Sequence, residues 1–381
     1  MLWRSPAVAI CRNLRHAGVN EVTSCDALGL NSANLRKRSP VFVLGSPRSG
    51  TTLLYDMLLS AGGFAVYLAE SNIFNLLAPR FGDLSNRENR ETLLKAWLGS
   101  KLFRASGLKA EEIKQRILLD CRNPGDFLRT VMDGICALQG VPRWAENSPE
   151  AMLYLPVIKR LIPNALVVHI IRDGRDVATS LEKVRYVHPF PWEEHQNLIG
   201  SGVYWEWIVQ RGRAYGKRLG KDYLEVPFEN LIASPQETLN QVGHFIDHEL
   251  DYERIRQVAY GSVAKPNSSF KTEALGSNFN PVGRWRKAFS PEQLARFERM
   301  MGETLRELGY TPETNRAGEE MNMQMRAARF VYRSYFSGKL WFKRNGLMRK
   351  LRPPLTSAEI DATVLADDHP PQVRNTLSRS S

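Results

Sequence analysis

Cysteine is scarce in this chain: Cys11, Cys25, Cys121 and Cys136 stand far apart, with no C-x-x-C step and no histidines at metal-ligand spacing. That pattern argues against a disulfide framework and a zinc site, so no metal and reduced thiols in a cytoplasmic protein are expected. Long apolar runs are also missing; nothing approaches the ~18–20 residues of a membrane span. The apolar Pro6–Ile10 segment gives way at once to Arg12 and Arg15, so no secretory leader is read. Histidine is absent between Thr52 and His169, and acidic residues are absent from Arg326 to Arg352.

The last absence locates the charge. The chain carries a net +12, and nine lysines and arginines fall between Arg326 and Arg352. Residues 1–38 add six basic and two acidic residues, which leaves the rest of the chain close to neutral. The basicity therefore sits in appendages. No recognition pattern for nucleic acid accompanies it, so nucleic acid is not an expected partner. Phe330, Tyr332, Tyr335, Phe336, Trp341 and Phe342 interleave with those cations. Such a segment suits peripheral contact with an anionic membrane, attraction of an acidic acceptor, or a helix packing its aromatics on the body.

What is present starts at Val41-Phe42-Val43-Leu44, which breaks into Gly45-Ser46-Pro47-Arg48-Ser49-Gly50-Thr51-Thr52 and resumes as an apolar helical stretch to about Ala61. Strand, Gly- and Ser-rich turn and helix N-terminus together cradle a phosphate through backbone N–H groups and the helix dipole. The loop resembles the Walker A pattern G-x-x-x-x-G-K-[ST], except that Thr51 stands where the NTPase lysine belongs and Arg48 supplies the cation. A polar helical region is expected from Arg87 to Gln139, followed by further strands at Ala165–Ile171 and Tyr223–Val226. Strands alternating with helices imply right-handed crossovers, a parallel sheet covered on both faces, and ligands at the strands' carboxyl ends.

A second constellation follows the second strand: Arg172-Asp173-Gly174-Arg175-Asp176, then Ser180 on the next helix, with Gly174 permitting a tight turn. An arginine and a hydroxyl brought together suit a second phosphate. A third is Gly283-Arg284-Trp285, whose indole could face a purine.

These three pieces, in this order over roughly residues 40–310, resemble the sulfotransferases that use 3′-phosphoadenosine 5′-phosphosulfate (PAPS). The resemblance implies a P-loop-type three-layer α/β fold, a parallel sheet flanked by helices, carrying here a basic helical C-terminal extension. It divides the chain into a lead-in at 1–39, a catalytic domain at 40–317 and an extension at 318–381, partly disordered. It implies that Arg48, Ser49, Gly50, Thr51 and Thr52 hold the phosphosulfate, with Arg48 also stabilising charge on the transferring group. Arg172 and Ser180 match the 3′-phosphate ligands, and Gly283, Arg284 and Trp285 match the element closing over the nucleotide.

Sulfuryl transfer also needs a base for the acceptor. The histidine of the small-molecule branch has no counterpart here. The branch that includes protein-tyrosine sulfotransferases uses a glutamate after the first helix, and Glu70 stands in that place. Two departures are visible. Asn147, in Glu146-Asn147-Ser148-Pro149, replaces a frequent lysine, and Phe228 replaces a later tyrosine. Asn147 and His188 are the candidate acceptor-side residues; His195, Glu193 and Glu194 lie nearby in sequence. The expected activity is transfer of a sulfuryl group from PAPS to a hydroxyl or amine acceptor without a metal. A P-loop nucleotide kinase or NTPase, and a silent nucleotide-binding, membrane-associated scaffold, are the alternatives.

Overall fold

The computed structural model describes residues 36–187, 189–190, 198–264, 280–315, 319–346 and 350–363. Most of the expected lead-in, His188, the 191–197 segment and the end of the chain therefore lie outside the described residues.

Four strands, β1 (Val41–Gly45), β2 (Ala145–Glu146), β3 (Leu166–Ile171) and β4 (Tyr223–Pro227), form one parallel sheet in the order β2-β1-β3-β4. Val41 pairs with Leu166 and Ala145, and Val167 pairs with Tyr223. β1 and β3 are buried along their whole length, as strands covered on both faces must be. Their two-residue alternation splits the core. Phe42, Leu44, Val167 and Ile171 join one apolar cluster, while Val41, Val43, Leu166, Val168 and Ile170 join the other. The expected three-layer α/β architecture is present. β2 is a two-residue strand that lay unrecognised inside the Trp144–Pro149 segment.

In chain order the helices are α1 (Thr51–Ala61), α2 (Ala78–Phe81), α3 (Arg87–Leu98), α4 (Lys101–Ser106), α5 (Ala110–Asp120), α6 (Pro124–Gln139), α7 (Leu155–Leu161), α8 (Gly174–Lys183), α9 (Leu198–Gly216), α10 (Phe228–Ala233), α11 (Pro235–Ile246), α12 (Tyr252–Val258), α13 (Gly261–Ala264), α14 (Pro291–Glu307), α15 (Met323–Arg344) and α16 (Ser357–Thr363). The polar 87–139 region resolves into α3 to α6, each ended by its own cap. Asn86 and Asn123 accept N–H bonds at the starts of α3 and α6, and Pro124 opens α6 where no N–H partner is needed. Leu54, Leu58, Leu239, Val242 and Ile255 of α1, α11 and α12 cover one face of the sheet. Trp205 and Ile208 of α9, with Phe297 of α14, belong to the core on the other.

The basic extension is anchored by a buried charge. Glu206 of α9 is fully buried; it accepts from Arg329 at 2.8 and 2.9 Å, from Arg333 at 3.2 Å and from Thr304 at 2.8 Å. Ser337 accepts from Trp207 and Arg211, and Phe336 and Leu340 are buried in the core. Phe330 and Trp341 remain exposed. Part of the basic, aromatic pattern thus serves internal packing.

Candidate active site

The loop after β1 turns through Ser46–Ser49, where Ser49 N donates to Ser46 O at 3.1 Å, and delivers the chain into α1. Gly50 begins that helix at φ 95°, and a Cβ there would stand 2.3 Å from the Phe228 ring. Only glycine meets both demands. No side chain caps α1 and no acid lies in its first turn, so its leading N–H groups and dipole face the loop unopposed. Arg48 itself takes a left-handed φ of 72°, unusual for a side chain of this size.

Arg48 and the second constellation meet directly. Arg48 Nε donates to Ser180 Oγ at 3.0 Å, and Arg172 Nη1 donates to the Arg48 carbonyl at 3.1 Å. Arg172 Nη2 donates to Pro281 O, and the guanidinium lies 4.6 Å from the centre of the Phe228 ring. Phe228 therefore supports both Gly50 and Arg172, a role a ring can fill without the hydroxyl of the expected tyrosine. Burial, and then the Arg172 charge, hold Arg48 below the usual arginine value. Burial likewise lowers Arg172, and Arg284 adds its own positive charge. Three guanidiniums are thus held near one another, an arrangement suited to a polyanion.

The late element reaches this cluster through Asp176. Its carboxylate accepts from Gly283 N at 2.8 Å and Trp285 N at 2.9 Å, and stands 3.7 Å from Arg172. The expectation of an indole open toward a purine is not met. Trp285 is 1% exposed and packs against the Arg175 and Arg286 guanidiniums, 4.0 and 4.6 Å from the ring centre. Arg175 is in turn paired with Asp173 and Glu298, so it pins the motif rather than the ligand. Gly174 is the first residue of α8 rather than a turn; its missing Cβ leaves room for the Trp205 indole, 2.5 Å from where that atom would be.

Glu70 lies on the Arg48 side of this arrangement. Asn72, itself left-handed at φ 49°, donates to Glu70 Oε2 at 3.5 Å. Burial first, and the neighbouring Glu146 charge second, push the Glu70 carboxyl up to about 7, while Arg48 pulls the other way. Glu146 was not singled out in the sequence. It is fully buried, its Oε1 accepts from Ser71 at 2.7 Å and Ser148 at 2.5 Å, and burial pushes it to about 7 as well. Ser148 also accepts from Asn72 N at 3.1 Å, stapling the Glu70 segment to the end of β2. Nothing in its sequence neighbours marks it, because its burial and its partner Ser71 come from folding.

Asn147 reaches the start of α1, donating to Thr52 Oγ1 at 3.4 Å. Thr51 is buried and Thr52 exposed. Four buried polar atoms around this cleft, Ser49 Oγ, Glu146 Oε2, Asn147 Oδ1 and Arg172 Nε, have no hydrogen-bond partner among the described residues. These four stand where a polar ligand or water could meet them. The structure brings Arg48, Ser49, Gly50, Thr51, Thr52, Asn147, Arg172 and Ser180 into one neighbourhood, with Glu70 and Arg284 close by through their effects on Arg48 and Arg172. His188 lies outside the described residues. No cluster of His, Cys, Asp or Glu suited to a metal occurs among the described residues.

A family model described as Sulfotransferase family matches residues 40–252, more than half of the chain. A Caenorhabditis briggsae protein provisionally named a protein-tyrosine sulfotransferase is 23% identical over 309 residues, covering 78% of this chain and 97% of its own. Among solved structures, the sulfotransferase domain of the Synechococcus olefin synthase aligns with a TM-score of 0.44 at 17% identity, over 66% of this chain and 89% of that one. A mouse sulfotransferase, SULT7A1, complexed with PAP aligns with a TM-score of 0.39 at 16% identity, over 71% and 85%. The chain belongs to the sulfotransferase family, and it is a sulfotransferase enzyme.

Proposed function

We propose that this enzyme takes its sulfuryl group from PAPS and delivers it to a hydroxyl or amine acceptor, with Glu70 as general base. The observation that carries the reading is the meeting of Arg48, Ser180 and Arg172 at the uncapped start of α1. A donor with a 5′-phosphosulfate and a 3′-phosphate presents two anionic groups to this cation cluster. The loop N–H groups and Arg48 suit the phosphosulfate; Arg172, Ser180 and Arg284 suit the 3′-phosphate. Ser49 Oγ and Arg172 Nε, buried and unpartnered among the described residues, fit such a ligand.

In the transfer, Glu70 removes the acceptor proton as the acceptor oxygen or nitrogen bonds to sulfur. The bond from sulfur to the phosphate oxygen breaks, and its electron pair leaves on adenosine 3′,5′-bisphosphate (PAP). Arg48 meets the charge developing on that leaving oxygen and the sulfuryl group. Asn147, uncharged, orients rather than neutralises.

The test is ligand-linked unfolding. PAP should raise the melting temperature of the wild type, and Arg172→Ala should remove most of that shift. Stabilisation by ATP with none by PAP would replace this reading with the kinase alternative.

A further inference from the structure

A cavity of about 110 Å³ opens beside the Glu70 segment, lined by Glu150, Tyr204, Trp207, Phe336, Lys339 and Lys343 among others. Its position follows from chain continuity. Asn147 touches Thr52 at the start of α1, Ser148 bonds the Glu70 segment, and Glu150 stands two residues further on, in the 3-10 turn Pro149–Tyr154. The opposite wall is α15, which lies beyond the 40–252 stretch matched by the family model.

The walls have a definite chemistry. Tyr204 and Trp207 stack with ring centres 6.0 Å apart, and Phe336 closes edge-on to Tyr204 at 5.0 Å. A volume of this order holds about one aromatic ring. Glu150 accepts from the Tyr186 hydroxyl at 3.1 Å and from the Tyr204 hydroxyl, and the Lys343 and Lys339 charges help keep it ionised despite burial. Two lysines against one carboxylate leave the cavity mouth with an excess positive charge. The Glu150 charge also reaches Glu70, which places the cavity within electrostatic range of the base.

We propose that this cavity is the acceptor site and that α15 selects the acceptor. The molecule received is a flat, single-ring compound carrying one negatively charged group, which Lys339 and Lys343 grip while its hydroxyl faces Glu70. The basic extension is then part of the substrate site. This rests on the sulfuryl-transfer reading, but its test does not require turnover.

The experiment titrates the full-length chain, saturated with PAP, with three matched probes by calorimetry: 4-hydroxyphenylacetate, its neutral amide, and tyramine. The wild type should bind the anion about tenfold more tightly than the amide and should bind tyramine more weakly than either. Lys339→Gln/Lys343→Gln should abolish the preference, and Lys339→Arg/Lys343→Arg should retain it. Both lysines are at least partly exposed, so folding is not at stake, and the unchanged PAP heat confirms an intact donor site. An equal affinity for the three probes in the wild type, or a preference that survives the double glutamine variant, would overturn the proposal. Loss of PAP binding in the wild type would instead overturn the donor reading, since the probe titrations can be repeated without PAP.

Discussion

Under the proposed mechanism, Glu70 and Glu146 together make a base poised near neutrality. Each carboxyl is raised to about 7, chiefly by burial, and the Glu146 charge adds to the rise at Glu70. A base must be ionised to act, so kcat/KM should increase with pH through an apparent pKa near 7 that belongs to the pair. Glu70→Gln should lower kcat by roughly 10²–10⁴-fold while leaving the PAP-induced melting shift in place. Glu146→Gln should keep activity and move the acidic limb to lower pH, because one negative neighbour is gone. A limb unmoved in Glu146→Gln would sink the coupling. Glu70 is proposed through resemblance of its position to a family glutamate, since nothing in its immediate neighbours marks it among 40 acidic residues. Glu146 was overlooked for the same reason: its importance lies in Ser71, 75 residues away, and in the burial around it.

Among the elements, α15 on α9 is the attachment least visible in the sequence. Its six cations, with no acid among them, read as a surface feature, yet Arg329 and Arg333 end on a carboxylate with no exposure. Glu206→Ala would leave Arg329 and the Thr304 hydroxyl without their carboxylate acceptor, and Arg333 with Gln210 alone. The cost should be about 3–5 kcal/mol, read from denaturant unfolding, with earlier proteolytic cleavage in α15. A loss under about 1 kcal/mol, with unchanged cleavage, would show that the apolar contacts of Phe336 and Leu340 hold the helix alone. The strands and α1 were legible because β1 and β3 carry their evidence locally, as short apolar runs bounded by turn residues. β2 was not. Two residues make no periodic signal, and its strand character comes from pairing with β1.

Across the whole molecule, the buried carboxylates set how stability responds to pH. Glu146 is raised from an ordinary 4.5 to about 7. The folded state therefore holds its proton more tightly than the unfolded chain, so its contribution is most favourable below about 4.5 and is lost as pH climbs to 7. Relative to wild type, Glu146→Gln should gain stability from pH 5 to 8 by up to about 3 kcal/mol and then level off, as followed by urea unfolding at each pH. A difference independent of pH would show that Glu146 is not raised in the folded protein.

What the linear chain settled is what depends on near neighbours: the glycine-rich turn at Gly45–Thr52 between strand and helix, the strands β1, β3 and β4, the Arg172–Ser180 segment, and through their order the family. Each is written within about ten residues, where backbone geometry and side-chain periodicity act directly. Folding decided what depends on distance along the chain. Asp176 holds a turn 107 residues away, Trp285 is buried instead of open, and Glu206 draws α15 onto the body from 123 residues off. Burial decides the rest, because a carboxyl that ionises as an ordinary acid in water keeps its proton to about pH 7 once neighbouring segments of the chain exclude water from it.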